Sequence, residues 1–173
     1  LNFQKRYVIF SILYLLYSDV YAQQKTESFF AYDFNDKAFF LSEELDKGKP
    51  IFINFFATWC SPCRQELPLI EKLYKKNPQV TFFIIDVDNL SQNNVTKKEP
   101  PRDLVYNILK EKISFPKNQL LYDRYAVIAQ KYKVDQTGLP ASYLISKKGI
   151  IISRYGKIDS KSMVEIQKDI NRL

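Results

Sequence analysis

The chain has 173 residues, of which 46% are hydrophobic and 15% aromatic, and its formal net charge is +7. A chain of this length and composition fits one ordinary globular domain, which excludes intrinsic disorder and a small scaffold held together by disulfides. Its basic residues lie in short separated pairs such as Lys75-Lys76 and Lys147-Lys148, not in one dense stripe, so we expect no nucleic-acid partner.

The first 22 residues have the order of parts found in a secretory signal peptide. Basic residues precede an apolar run, Tyr7 to Tyr17, and Ala22 supplies a small residue of the type that signal peptidases recognise. The apolar run is short for a bilayer span. We expect residues 1–22 to be a signal peptide, with an uncleaved N-terminal anchor or a buried helix as the alternatives. Residues 23–173 then form a domain that works outside the cytoplasm.

A strand, a helix and a second strand follow one another in the first half of the domain. The runs Ile51 to Phe56 and Val80 to Ile85 are apolar on both faces, as expected for strands inside a parallel sheet that helices cover. Between them, apolar residues recur at helical spacing from Ser61 to Lys76, and Asn77-Pro78 ends the pattern. This order predicts a right-handed crossover and an α/β fold.

Two more helices are predicted in the middle of the chain. One runs from Arg102 to Lys112, with Leu104, Ile108 and Leu109 directed inward, and a shorter one runs from Arg124 to Tyr132.

The C-terminal part has a different pattern. The runs Ala141 to Ser146 and Gly149 to Gly156 are rich in β-forming residues, and Lys147-Lys148-Gly149 has the length and composition of a hairpin turn. A last helix is predicted from Ser160 to Leu173, with Met163, Ile166 and Ile170 on one face.

The only two cysteines, Cys60 and Cys63, stand in the sequence WCSPC. A structural zinc needs four ligands, but the chain has no third cysteine and no histidine. Covalent haem attachment needs a histidine where this chain has Arg64. A structural disulfide remains an alternative, although a loop this small gains little stability from closure.

Redox chemistry explains the placement of the pair best. Cys60 lies at the start of a predicted helix, where unpaired backbone N–H groups and the helix dipole stabilise a thiolate, the reactive form of the side chain. Pro62 is tolerated in a first helical turn. Cys63 lies one turn further along and is expected to be a buried resolving thiol.

The residues around the pair resemble a known family. The segment NFFATWCSPCRQELP, from Asn54 to Pro68, is similar to the signature of the thioredoxin-like TlpA and ResA group of extracytoplasmic reductases, and TGLPASYLISKKGIIISRYGK is similar to its cis-proline loop and terminal hairpin. The resemblance covers residues 30–173. It implies a thioredoxin-like α/β fold with a central mixed sheet flanked by helices, an inserted helix and an N-terminal extension.

The resemblance also implies roles for single residues. Pro140 corresponds to a cis-proline that faces the cysteines, and the backbone of Leu139 would bind the substrate peptide; the alternative is an ordinary trans turn. Trp59 would lie flat beside the nucleophile, or it could simply pack in the core. Glu66 would tune the acidity of the cysteines, or it could be an acid favourably placed near a helix start. Asn54 stands where general thioredoxins carry a buried aspartate.

The function expected from these features is that of an extracytoplasmic thiol-disulfide oxidoreductase, chiefly a reductase. Its substrates would be disulfide-bearing proteins, and it would work as a monomer with no metal and no cofactor other than the Cys60-Cys63 pair. The family resemblance implies a membrane thiol-disulfide electron donor and apocytochrome c as a substrate. The alternatives are a thiol peroxidase, an oxidant of folding proteins, and a binding module in which the disulfide is structural.

Overall fold

The protein is described here by a computed structural model, which covers residues 24–90, 102–135 and 137–173. The predicted signal peptide, residues 1–22, lies outside the described residues. None of the helices in these three ranges is long and apolar enough to cross a membrane.

Seven strands form one mixed sheet with the order β2-β1-β5-β4-β3-β6-β7. Strands β3, β4 and β5 are parallel to one another, and the other pairs are antiparallel. The strands are β1 (Phe30–Asp33), β2 (Ala38–Phe40), β3 (Ile51–Phe56), β4 (Thr81–Asp86), β5 (Leu120–Tyr122), β6 (Ala141–Ile145) and β7 (Ile151–Tyr155).

Helices cover the sheet on both faces. The helices are α1 (Leu41–Asp46), α2 (Ser61–Lys76), α3 (Arg102–Lys110), α4 (Val127–Lys131) and α5 (Ser160–Ile170). The described connections include two short 3₁₀ turns, Asp88–Leu90 and Lys117–Gln119.

The central strand β3 shows why both faces need cover. All six of its residues are buried. Neighbouring residues of a strand point to opposite faces of the sheet. Asn54 accordingly reaches Glu66 of α2 on one face, and the ring of Phe55 lies 5.5 Å from that of Tyr132, just after α4, on the other.

The structure confirms the fold class and the strand-helix-strand unit predicted from the sequence. The helix from Ser61 to Lys76 has the predicted bounds, and the hairpin turns at Lys147-Lys148-Gly149, where Gly149 adopts a φ of 75°. Glycine is favoured at such a left-handed position because it has no Cβ atom.

Two predictions about the middle of the chain are wrong. Leu109 is buried and Ile108 partly buried, as predicted, but Leu104 is 50% exposed and α3 buries Val105 in its place. Val105 and Leu109 are four residues apart and so lie on one face. The helix predicted from Arg124 to Tyr132 is only α4, Val127–Lys131. Ala126 has a φ of 55°, a left-handed conformation that a right-handed helix cannot continue through.

The sequence pattern also does not predict three short strands of the sheet, β1, β2 and β5. Strands β1, β2 and β5 have only three or four residues each, and β1 alternates exposed and buried residues. Such short strands lack the continuous apolar run that identified β3 and β4.

Candidate active site

Cys60 and Cys63 lie where the buried strand β3 leads into helix α2. Cys60 is the N-cap residue of α2, and its sulfur is bonded to that of Cys63, with the two Cα atoms 5.3 Å apart. The backbone N–H of Cys63 donates to the Cys60 sulfur over 3.2 Å. Cys60 is 5% exposed and Cys63 only 1%. The Cys60 sulfur therefore faces the unpaired N–H groups of the first helical turn, which favour a thiolate once the disulfide is reduced.

The residues just before the pair are held by Asp88, which follows the neighbouring parallel strand β4. Carboxylate oxygen Oδ1 of Asp88 accepts hydrogen bonds from the backbone N–H and the hydroxyl of Thr58, over 2.7 and 2.9 Å. The indole N–H of Trp59 donates to the backbone carbonyl of Asp88 over 3.0 Å. Burial raises the pKa of Asp88 above its usual value, although the bonds from Thr58 oppose that shift. Asp88 thus fixes the turn that presents Cys60.

Glu66 is a buried acid one helical turn beyond Cys63. Its side chain is 1% exposed, and its two carboxylate oxygens accept from the side-chain amide of Asn54 over 2.8 Å and from the backbone N–H of Ile158 over 2.7 Å. Burial raises the pKa of Glu66 to about 7, against the opposing effect of these hydrogen bonds and of the positive charge on Lys157. The group therefore exchanges a proton near neutral pH.

Asn54 connects Glu66 to the antiparallel strand β6. The same amide nitrogen that donates to Glu66 also donates to the hydroxyl of Ser142 over 2.9 Å. Asn54 is 1% exposed and Ser142 fully buried. Asn54 therefore supplies a neutral donor to the buried acid Glu66.

Leu139 and Pro140 lie beside the turn that carries the cysteines. Strand β6 pairs with β3 so that Ala141 is opposite Phe55. Continuing this antiparallel register places Pro140 beside Phe56, at the end of β3 that leads to Cys60. The Leu139-Pro140 peptide bond is cis, in agreement with the family resemblance. Pro140 is buried and Leu139 partly buried.

The structure therefore brings all the predicted site residues to one end of the sheet. Trp59 is partly buried, and its N–H is used in a hydrogen bond, so the residue is anchored as well as packed. Sequence reasoning missed Asp88 and Ser142. The available signal for Asp88 was a polar residue following a buried strand, because neighbouring parallel strands end at the same edge of a sheet. Within the described ranges, no group of three or more cysteine, aspartate or glutamate side chains could hold a metal ion.

Comparison with known proteins agrees with this arrangement. The model of the AhpC/TSA family matches residues 22–154. The thiol-disulfide oxidoreductase ResA of Bacillus thuringiensis subsp. konkukian is 32% identical over 120 residues, which is 69% of this chain and 61% of ResA. The chain thus spans less than two thirds of that relative's length. ResA of Bacillus subtilis is 27% identical over 165 residues, covering 91% of this chain and 83% of the relative.

A solved structure gives the same result for the fold. The thioredoxin domain of a thiol-disulfide oxidoreductase from Bacteroides vulgatus superposes with a TM-score of 0.67 at 18% identity, covering 86% of this chain and 97% of that domain. The fold is therefore thioredoxin-like, and the chain belongs to the AhpC/TSA family.

The raised pKa of Glu66 predicts how stability depends on pH. A buried acid that binds its proton more tightly in the folded state stabilises the fold fully below pH 4.5, and this contribution is lost as the pH rises to about 7. The difference amounts to roughly 3 kcal/mol, at 1.36 kcal/mol for each tenfold change in proton affinity. Urea unfolding of the oxidised protein should be measured at pH 4.5 and at about pH 7. Between these pH values, the free energy of unfolding of Glu66→Gln should increase relative to that of wild type by about this amount.

Glu71, on the same helix, provides the matched control. Burial raises the pKa of Glu71, but hydrogen bonds from Ser114 and Lys75 outweigh burial and lower it below the usual value. The stability contributed by Glu71 is therefore lost as the pH falls, and Glu71→Gln should show the opposite trend to Glu66→Gln. A Glu66→Gln variant whose stability follows the wild type at every pH would contradict the assignment.

The contacts of Asp88 lead to a second prediction. Asp88→Ala removes the acceptor for the Thr58 N–H and should lower the free energy of unfolding by about 1–3 kcal/mol, the usual penalty for a polar group left without its partner. It should also increase the mobility of Trp59, which fluorescence anisotropy can measure because this is the only tryptophan. Asp88→Asn keeps an oxygen acceptor and should lose less. If both variants lose the same free energy of unfolding, the side-chain oxygen of residue 88 is not what holds the turn.

Proposed function

We propose that this member of the AhpC/TSA family is a thiol-disulfide oxidoreductase that chiefly reduces disulfides in other proteins. The proposal rests mainly on one observation, the Cys60–Cys63 disulfide at the N-terminus of α2. The names of the ResA relatives support the same chemistry.

The reaction follows from the unequal positions of the two sulfurs. In the reduced protein, the Cys60 thiolate attacks one sulfur of a substrate disulfide. The substrate S–S bond breaks, the other substrate sulfur leaves as a thiolate and takes up a proton, and a mixed disulfide forms. Cys63 then loses its proton and attacks the Cys60 sulfur, which releases the second substrate thiolate and forms the Cys60–Cys63 disulfide. Two electrons have passed from the protein to the substrate.

Glu66 is the group in position to handle the proton of Cys63. It lies three residues further along α2, so the two side chains occupy the same face of the helix. Its pKa of about 7 leaves comparable fractions ionised and protonated at neutral pH. We assign it the role of accepting the Cys63 proton during resolution and returning a proton during re-reduction.

We also propose a substrate surface, an electron donor and a cellular compartment for this protein. Trp59, Leu139 and Pro140 would form the surface on which the peptide around the substrate disulfide lies. The oxidised pair has to regain two electrons and two protons, for which a membrane thiol-disulfide donor outside the cytoplasm is proposed. The N-terminal sequence supports that compartment, and apocytochrome c is one proposed substrate on the strength of the family resemblance.

The position of Thr58 argues for disulfide exchange over peroxide reduction. A thiol peroxidase would use threonine and arginine side chains to activate its reactive cysteine. Here the Thr58 hydroxyl donates to Asp88, and Arg64 is exposed on the helix surface.

The proposed mechanism predicts that the two cysteines behave differently when each is removed. In Cys63→Ala, the mixed disulfide has no internal thiol to resolve it, so adducts should accumulate on Cys60 in extracytoplasmic extracts. In Cys60→Ala, few adducts should form, because Cys63 is buried and lies inside the helix, away from its N-terminus. Non-reducing gels followed by mass spectrometry would measure both and identify the trapped proteins.

Two results would contradict this mechanism. Equal trapping by both variants would overturn the separate roles of Cys60 and Cys63. Absence of reducible adducts in both, with activity retained, would favour a structural disulfide.

Glu66 should also influence the reactivity of Cys60 in the reduced protein. The first-turn N–H groups favour the Cys60 thiolate, whereas a negative charge on Glu66 disfavours it. The pH midpoint for alkylation of Cys60 by iodoacetamide should therefore fall in Glu66→Gln relative to wild type. Glu71→Gln, further along the same helix, is the control and should leave the midpoint in place. An unchanged midpoint in Glu66→Gln would remove Glu66 from the proposed mechanism.

A further inference from the structure

A groove of about 570 Å³ is lined by residues of β1, of the end of β5 and the loop after it, and of α4. Its lining is mainly aromatic and aliphatic, and we call it the aromatic groove. The side chains that define it are Phe30, Tyr32, Tyr122, Tyr125, Val127 and Lys131.

The aromatic groove opens at the same end of the sheet as the cysteines. Strands β3, β4 and β5 are parallel, so their carboxyl ends share one edge. In the antiparallel pair of β1 and β5, Tyr32 is opposite Tyr122, which places Phe30 beyond the carboxyl end of β5. Because adjacent strands are about 4.8 Å apart, β5 lies roughly 10 Å from β3, and an extended peptide would span that distance in about three residues.

Hydrogen bonds connect the cysteine turn to the loop that borders the groove. The indole N–H of Trp59 donates to the carbonyl of Asp88, and the side-chain amide of the next residue, Asn89, donates to the backbone carbonyl of Asp123 over 2.7 Å. Asp123 directly precedes Arg124 and Tyr125. The segment Asp88-Asn89 therefore lies between the cysteine turn and the loop that lines the groove.

The exposure of the lining is unusual for side chains of this type. Tyr125 is 73% exposed, Val127 48%, and Phe30 and Tyr32 46% each. The Phe30 and Tyr32 rings pack edge to face with their centroids 4.9 Å apart, so they form one surface and not two isolated residues. An exposed aromatic cluster of this kind marks a binding surface more often than an isolated exposed residue does.

The charges at the groove indicate the kind of partner. Lys131 lines it and donates to the backbone carbonyl of Ser28 over 2.7 Å, and Arg124 lies with its guanidinium 5.5 Å from the Tyr125 ring. Among the residues that the structure describes, the one acid of the lining is Asp123, which is 3% exposed and accepts the backbone N–H of Ala129 in α4. The exposed charges of the groove are therefore positive, which favours an acidic partner.

We propose that the aromatic groove binds an apolar or aromatic side chain with an acidic neighbour, about three residues from the reactive cysteine of a disulfide-bearing polypeptide. This inference rests on the proposed function and adds to it a substrate class, that of extended chains which reach both the cysteine turn and the groove.

The test compares disulfide substrates that differ only at the proposed contact. Two synthetic peptides would each carry one cysteine joined by a disulfide to glutathione. One has an Asp-Phe pair three residues from the cysteine, and the other has Ser-Ser there. Glutathione disulfide serves as a substrate that is too small to reach the groove. The measurement is the single-turnover rate constant of the pre-reduced full chain with each substrate.

The Asp-Phe peptide should react roughly threefold to tenfold faster than the Ser-Ser peptide with the wild-type protein, the range expected for one well-packed aromatic contact. Tyr125→Ser and Val127→Ser should each reduce that ratio towards one. Val164→Ser is the matched control for Val127→Ser, because Val164 is 69% exposed on α5 and lies outside the groove. It should leave the ratio at its wild-type value.

The outcomes separate this inference from the proposed function. Reaction with glutathione disulfide but equal rates for the two peptides would overturn the groove assignment and leave the oxidoreductase intact. No reaction with any of the three substrates would overturn the oxidoreductase itself, and the groove assignment with it. A concentration-dependent dimer that Tyr125→Ser abolishes, together with equal peptide rates, would assign the groove to a second copy of this chain.

Discussion

Burial of strand β3 on both faces is the constraint on which the rest of the structure depends. With every residue of this strand inside the protein, its chain can reach the surface only at its ends. At the carboxyl end it turns directly into α2, so Cys60 becomes the N-cap of a 16-residue helix. A strand that places a cysteine at a helix N-terminus supplies the electrostatic environment for a thiolate without any cationic side chain.

The same burial explains why the pKa of Glu66 is raised. Glu66 lies on the face of α2 that packs against β3, where water cannot hydrate its charge, so burial raises its pKa to about 7. Its two hydrogen bonds come from Asn54 of β3 and from the backbone after β7, which hold the carboxyl group in one orientation. Fold stability and the protonation of Glu66 are thus coupled: the burial that raises the pKa of Glu66 also makes the folded protein less stable as the pH rises.

The sequence predicted those parts of the fold and site that depend on local pattern. Strand β3, helix α2 and the spacing of Cys60 and Cys63 can be read from neighbouring residues, because apolar periodicity and capping act within a few positions. The contacts that complete the site are long-range. Asp88 is 30 residues from Thr58, and Ile158 is 92 residues from Glu66, so neither partner is visible in local sequence. The sequence predicts a helix that includes Tyr125, because nothing in the neighbouring residues indicates the left-handed conformation of Ala126.

We propose that Cys60 and Cys63 form a reversible redox couple in the folded protein, and a redox titration tests this most directly. The native protein would be equilibrated in mixtures of reduced and oxidised dithiothreitol, with the fluorescence of Trp59, the only tryptophan, as the signal. We expect a reversible two-electron curve in which a tenfold change in the reduced-to-oxidised ratio corresponds to about 30 mV, with the fold intact throughout. A pair that stays oxidised in the native protein, and is reduced only after urea unfolds it, would show that the disulfide is structural.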